Sequence, residues 1–276
     1  MPIQKYMIKL KKINANIVHI ATEGPLGFFA RRYCIKNNIK FTTSLHTKFA
    51  EYINERIYIP VSIGYSFLRY FHRPSSKILV TTKNMEKELM NRNFKNLVVW
   101  PRGVNSNIFG KIKKAEISKP APIFIYVGRV AIEKNIKAFL DIDIQGSKIV
   151  VGAGPQLDEL KKKYKDVLFT GMLEEKDVAA YLAASDVFVF PSKTDTFGIV
   201  IIEALAAGVP VAAYPVTGPL DILQNTKVDC LDLDLKTSIL KALKIKKEDC
   251  KKVAKQYTWE NCAKIFMQTA SVNLQF

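Results

Sequence analysis

Four residues of this chain have the types and spacing to handle an elongated anionic ligand: Arg129 and Lys134, five positions apart, and Asp195 and Glu203, eight apart. Arginine offers a planar fork of donors and lysine a mobile point charge, a combination suited to a diphosphate. The two carboxylates lie in PSKTDTFGIVIIEALAAGVPVAAYP, residues 191–215, the most hydrophobic long stretch of the sequence. Asp195 stands just ahead of a helix predicted to begin near Gly198, where outward-pointing backbone N–H groups favour a phosphate. Glu203 falls inside that helix. Eight residues along a helix is about 12 Å, far more than the roughly 5 Å between the two carboxyl groups of a retaining glycosidase. The acids are therefore not such a pair, but they can address opposite ends of one long ligand. On the residues alone a plainer reading stays open, with Asp195 capping the helix, Glu203 exposed on it, and Arg129 and Lys134 as ordinary surface cations.

Those residues need strands to hold them. Short β-rich runs at 16–20, 40–46, 77–82 and 96–101 alternate with helix-like segments at 26–37 and 83–92, the signature of a parallel sheet. A polar bridge, KIKKAEISKPAP at 111–122, follows. The alternation restarts with IFIYVGR, SKIVVGAG, KDVLFTG, DVFVFPS and VPVAAYP, each followed by helix-competent sequence. The pattern predicts an α/β protein of two doubly wound parallel-sheet domains, 1–115 and 116–258, with a closing helix at 259–276 packed back toward the first. Ligands of such sheets bind at the carboxyl ends of strands. Gly128 ends one strand just before Arg129, Gly152 and Gly154 follow another, and Gly171 a third. Leu157 stands where a dinucleotide fingerprint needs its third glycine, and no P-loop occurs. A serine hydrolase is excluded by the lack of a G-x-S-x-G elbow.

Composition narrows the class. The 276 residues are 48% hydrophobic, too apolar for disorder and long enough for one large or two ordinary cores. No signal peptide and no membrane-spanning run is expected. The four cysteines form no metal-ligand spacing, which fits a reduced, cytoplasmic setting. The net charge of +17 is unevenly spread: residues 1–115 hold 21 Lys+Arg against 5 Asp+Glu, and residues 116–276 hold 21 against 20. The first half is thus expected to meet something anionic, or else to carry a solubilising lysine surface. In YSFLRYFHRPSSK, residues 65–77, aromatics interleave with Arg69, His72 and Arg73. That stretch suits an anionic bilayer or an amphipathic core helix. Nucleic acid ranks lower as a partner, since no recognisable nucleic-acid module is present.

In order and spacing, YVGRVAIEKN, VVGAGP, FPSKTDTFGIVIIEALAAGVPVAAYPVTGPLD and YTWENCAKIF resemble the donor-binding half of retaining GT-B glycosyltransferases of family 4. The stretch 18–53 and WPRGVNSNIF are similar to the acceptor half in the branch that uses GDP-mannose or UDP-sugars to glycosylate lipids. The resemblance implies two Rossmann-like domains, the N-terminal one truncated, and transfer of a hexosyl unit from a nucleotide-diphosphate sugar to a lipid or glycan acceptor with retention. The alternative is a nucleotide-sugar-binding homologue without catalysis, or one subunit of a split enzyme.

The resemblance also assigns roles. Asp195 takes the first position of the family's E-x7-E signature, facing the sugar hydroxyls, and Glu203 the second, holding the ribose. Arg129 and Lys134, beside Gly128 and Gly152, bind the diphosphate. Phe197 and the amides of Gly198, Ile199 and Val200 complete the cradle, the backbone at Met172 and Leu173 meets the base, and His46 reaches toward the sugar. No metal and no cofactor beyond the substrate is implied. A strand left at the edge of the first sheet predicts a homo-oligomer or a partner chain, and the expected location is cytoplasmic, peripheral at the inner face of the membrane.

Overall fold

All nine predicted runs form strands, each shorter than the run that announced it. The computed structural model describes residues 13, 15–46, 49–193, 195 and 197–271. The chain divides into two units, Met1–Pro101 with Cys262–Phe276, and Arg102–Asn261.

In the first unit β1 (His19–Ile20), β2 (Thr42–Leu45), β3 (Lys77–Val80) and β4 (Leu97–Val99) pair in that order, all parallel. The helices Pro25–Lys36, Phe49–Ile57, Val61–His72 and Lys83–Asn91 lie between them in sequence. Thr82 starts the last of these by accepting from the Met85 N–H at 3.1 Å, the side-chain cap that a helix N-terminus favours. β2 is buried along its whole length although it reads Thr-Thr-Ser-Leu. Its hydroxyls are satisfied by histidines: His19 meets Thr42 at 2.9 Å and Ser44 at 3.0 Å, and His72 meets Thr43 at 2.9 Å and Glu23 at 3.0 Å. Burial holds the His19 pKa below its ordinary value, so this ring sits in the core as a neutral hydrogen-bonding group.

The second unit holds β5 (Ile123–Val127), β6 (Ser147–Val151), β7 (Leu168–Gly171), β8 (Val187–Phe190) and β9 (Val211–Ala213), all parallel, in the order β7-β6-β5-β8-β9. Successive side chains alternate between two apolar layers. Ile125, Val127, Ile149, Val151 and Phe188 enter one, and Phe124, Tyr126, Val150, Val187 and Val189 the other. A sheet buried on both faces must read as continuous hydrophobic runs, as these strands do. Each such fully buried side chain contributes about 1.5–3 kcal/mol.

Two expectations are corrected. The boundary between units falls at Pro101/Arg102 rather than 115/116. The segment 111–122 belongs to the second unit: Ile112 and Ile117 pack on its core and the Ala115 N–H donates to the Ala180 carbonyl at 3.0 Å. The helix Val61–His72 is amphipathic, one of the two forms expected of it: Tyr65, Leu68, Phe71 and His72 are buried while Ile63, Phe67 and Tyr70 are exposed.

Candidate functional site

β5 and β8 are neighbours at the centre of the second sheet, where the strand order changes direction. Loops leaving the carboxyl ends of such a pair run to opposite sides and leave a crevice. After β5 the chain turns at Gly128, Arg129 and the 3-10 turn Ile132–Lys134. After β8 it runs through Pro191 and Asp195 to Gly198, which opens the helix Ile199–Ala206 with φ +78°.

Several contacts fix these loops. The Tyr126 hydroxyl donates to the Arg129 carbonyl at 2.8 Å, and the Asn135 amide to the Pro191 carbonyl at 3.1 Å. The N–H groups of Gly128 and Val130 donate to Val151 and Ala153, both at 2.9 Å. Gly152, at φ +133°, is so close to the Gly128 carbonyl that no Cβ fits. That tight approach keeps the ends of β5 and β6 open as bare backbone, the arrangement a bulky ligand group needs beside a strand end.

Lys134 and Asp195, 61 residues apart in sequence, are in direct contact. The ammonium donates to Oδ1 at 2.7 Å and Oδ2 at 2.8 Å. Both side chains are about three-quarters covered, at 26% and 23% exposure. Arg129, more exposed, lies 3.6 Å from Glu133. At the carboxyl ends of β5, β6 and β7 is a crevice of about 450 Å³ lined by Gly128, Arg129, Gly152, Met172, Leu173 and Val178 among others; Lys134 and Asp195 do not line it. Glu203 is half-buried on the helix Ile199–Ala206. Burial, with help from the Glu175 carboxylate, pushes its pKa up to about 7. The first amides of any helix have no partner within it, so those of Ile199 and Val200 are available to an acceptor.

The structure thus gathers Gly128, Arg129, Gly152, Met172 and Leu173 around one crevice and joins Lys134 to Asp195. Phe197 is 6% exposed and its ring packs 6.1 Å from Tyr257, so its side chain belongs to the core. His46 belongs to the other unit, one residue past β2, with its ring 5.6 Å from Trp100. The sequence reading passed over Tyr126 and Asn135, which brace the loops. It also passed over Gly218, whose N–H donates to the Asp195 carbonyl at 3.3 Å. Ser192, buried next to β8, has a hydroxyl with no hydrogen-bond partner among the described residues. The stretch PVTGPLD carried a signal for Gly218 in its Thr-Gly-Pro turn.

Two Asp-x-Asp triplets, at 141–143 and 232–234, carry the type of acid that can hold a divalent ion. Asp141 instead meets Tyr164 and Lys163, Asp232 meets Lys241, and Asp234 caps the helix Leu235–Ala242. Among the described residues no cluster of three or more metal-ligating side chains occurs.

A doubly wound parallel sheet with cations, bare glycine backbone and a helix N-terminus at its switch point defines an α/β domain of the class that takes ligands at its strand ends. Residues 108–257 match the glycosyl transferases group 1 family and residues 2–107 match Glycosyltransferase Family 4. The chain belongs to the group 1 glycosyl transferases. It is 27% identical to a sulfoquinovosyl transferase of Arabidopsis thaliana, over 78% of this chain and 46% of the relative. It is 28% identical to a GDP-mannose-dependent alpha-mannosyltransferase of Corynebacterium glutamicum, over 85% of this chain and 59% of the relative. The chain therefore spans about half the length of these relatives. Among solved structures it resembles HepE of Anabaena in complex with UDP, with TM-score 0.72 and 16% identity over 96% of this chain and 81% of that one. The shared fold is the GT-B fold the sequence predicted.

Proposed function

We propose that this chain binds a nucleotide-diphosphate sugar, of the GDP-mannose or UDP-sugar kind, at the crevice beyond β5 and β8 and transfers its hexosyl unit to a lipid or glycan acceptor. The observation that carries this reading is the Lys134–Asp195 contact, which brings a cation suited to phosphate and an acid suited to sugar hydroxyls together from the loops after β5 and β8. Glycosyl transfer passes through an oxocarbenium-like state while negative charge grows on the departing diphosphate. Cations and amides already aimed at that oxygen stabilise the transition state more than the ground state. Arg129, Lys134 and the amides of Gly198, Ile199 and Val200 are assigned this task. Asp195 accepts from the sugar hydroxyls and Glu203 from the ribose. The backbone at Met172 and Leu173 receives the base. Transfer proceeds with retention: the anomeric C–O bond to phosphate breaks, the acceptor oxygen bonds to the same face, and its proton passes to the leaving phosphate. The reaction needs no metal.

The basic first unit is assigned to the acceptor side. Ile63, Phe67 and Tyr70, at 58%, 41% and 61% exposure, line one face of the helix Val61–His72, and Arg31 lies over the Tyr70 ring. Such a basic, aromatic face suits the headgroup region of an anionic bilayer, and we assign the chain a cytoplasmic, peripheral position. No helix among the described residues is long and apolar enough to cross a membrane. β1 has a sheet neighbour on one side only among the described residues, which supports a homo-oligomer or a partner chain at that edge. It equally supports a second reading, a nucleotide-sugar-binding subunit that turns over only with another polypeptide.

A calorimetric panel of GDP, UDP and ADP, followed by donor hydrolysis and lipid-transfer assays, tests both readings. Nucleotide binding with transfer supports the first, binding without turnover the second, and no nucleotide binding contradicts both.

A further inference from the structure

The contact that marks the donor site also closes it. All of the short-range charge of Lys134 is directed at Asp195, with both carboxylate oxygens within 2.8 Å of one ammonium. A diphosphate that needs Lys134 must therefore take it from Asp195, and a sugar that needs Asp195 finds it neutralised by Lys134. Each group is withheld from its own ligand by the other.

Resting on the donor-site reading, we infer that Lys134 and Asp195 form an exchangeable latch: a nucleoside diphosphate replaces the carboxylate on Lys134, and only then is Asp195 released to bind the sugar. The pieces on either side of the pair are fixed. Lys134 ends a turn whose next residue, Asn135, is in the left-handed region at φ +52° and is tied to Pro191. Asp195 is held through its carbonyl by the Gly218 N–H. With both backbones braced, the exchange needs only side-chain rotation. Lysine suits this role because its compact ammonium on a long flexible stem can swing from one acceptor to another, where arginine would hold the carboxylate with a bidentate fork. The consequence is selectivity. A nucleoside diphosphate alone must break a half-buried ion pair and leaves Asp195 uncompensated, whereas a sugar nucleotide supplies hydroxyl donors for the released carboxylate. The latch thus favours the loaded donor over the spent product.

The test is isothermal calorimetry of a nucleoside diphosphate and its sugar conjugate against wild type, Asp195→Asn and Asp195→Glu, with thermal melts to confirm folding. Asp195→Asn is expected to bind the nucleoside diphosphate roughly tenfold more tightly, which is about 1.4 kcal/mol, and to lose the preference for the sugar conjugate. Asp195→Glu keeps the carboxylate, and the tenfold gain in nucleoside diphosphate binding is expected to be absent from it. Asp195→Ser replaces the Asn variant should that one melt early. Unchanged or weaker nucleoside diphosphate binding in a folded Asn or Ser variant overturns the latch. So does a gain that extends equally to the sugar conjugate, which marks mere relief of charge repulsion. Absence of nucleotide binding in every form, wild type included, instead overturns the donor-site reading and takes the latch with it.

Discussion

The two units place their polar groups in opposite ways. In the second, the strand interiors are apolar, as in Ile123–Val127 and Val187–Phe190, and charged groups begin where the strands end. In the first, polarity runs through the sheet itself: Thr42, Thr43 and Ser44 are buried on β2 and held by His19 and His72. Buried polar groups that are fully hydrogen-bonded specify one packing and are costly to disturb, but they offer nothing to a ligand. Polar groups at strand ends are braced by the sheet and remain partly open. The chemistry of His19, His72 and the β2 hydroxyls is therefore structural, whereas the groups of the proposed donor site in the second unit stay partly open.

Substitutions in the two regions should then fail in different ways. The largest effect is expected for Lys134→Met and Arg129→Ala. Each removes a charge aimed at the leaving group and should lower transfer by roughly 10²–10³-fold, with the melting temperature nearly unchanged for Arg129→Ala and lowered for Lys134→Met, which leaves Asp195 unpaired; steady-state kinetics beside thermal melts reads both. Gly152→Ala should affect stability and binding together. Its Cβ would meet the Gly128 carbonyl at a backbone angle of +133°, and strain of this kind costs about 1–3 kcal/mol, visible as a lower urea midpoint. On the other side of the comparison, Thr43→Val leaves the buried His72 ring short of one partner and should cost about 1–3 kcal/mol of stability. Nucleotide affinity should not change, and a loss of affinity without destabilisation would break the contrast between the units.

The smallest effect is a pH dependence. The folded Glu203 pKa, about 7, lies above its ordinary value of 4.5. The neutral acid is thus favoured by folding: its contribution to stability is full below the ordinary value and is lost as pH rises through about 7. Between pH 5 and 8 the wild type should lose more stability than Glu203→Gln. If the ribose donates to the ionised carboxylate, nucleotide binding near pH 7 should release a proton, measurable as a dependence of the calorimetric heat on the buffer.

The second unit was legible because its information is local. Aliphatic runs that end in Gly-Arg, Gly-Ala-Gly or Pro-Ser mark strands and the loops at their carboxyl ends without any knowledge of packing. The Lys134–Asp195 contact joins loops 61 residues apart, and only the strand order makes them neighbours. Phe197 illustrates the limit of motif reading, for it stands between two site residues in sequence while its ring turns to Tyr257. In the first unit the signals were weak where polarity is buried. The run at 40–46 reads as a strand, but the burial of its Thr-Thr-Ser shows only when His19 and His72 are placed against it. The segment 111–122 read as a linker because Ile112 and Ile117 are isolated among lysines and prolines, yet those two side chains seat it on the second core.

Central to the account is that a diphosphate sits at the switch point beyond β5 and β8, and the most direct measurement is a crystal structure with a bound nucleoside diphosphate. The account predicts phosphate oxygens on Lys134, Arg129 and the amides of Ile199 and Val200, with Lys134 withdrawn from Asp195 and the base beside Met172 and Leu173. A nucleotide bound elsewhere on the chain, with the Lys134–Asp195 contact intact, would contradict it.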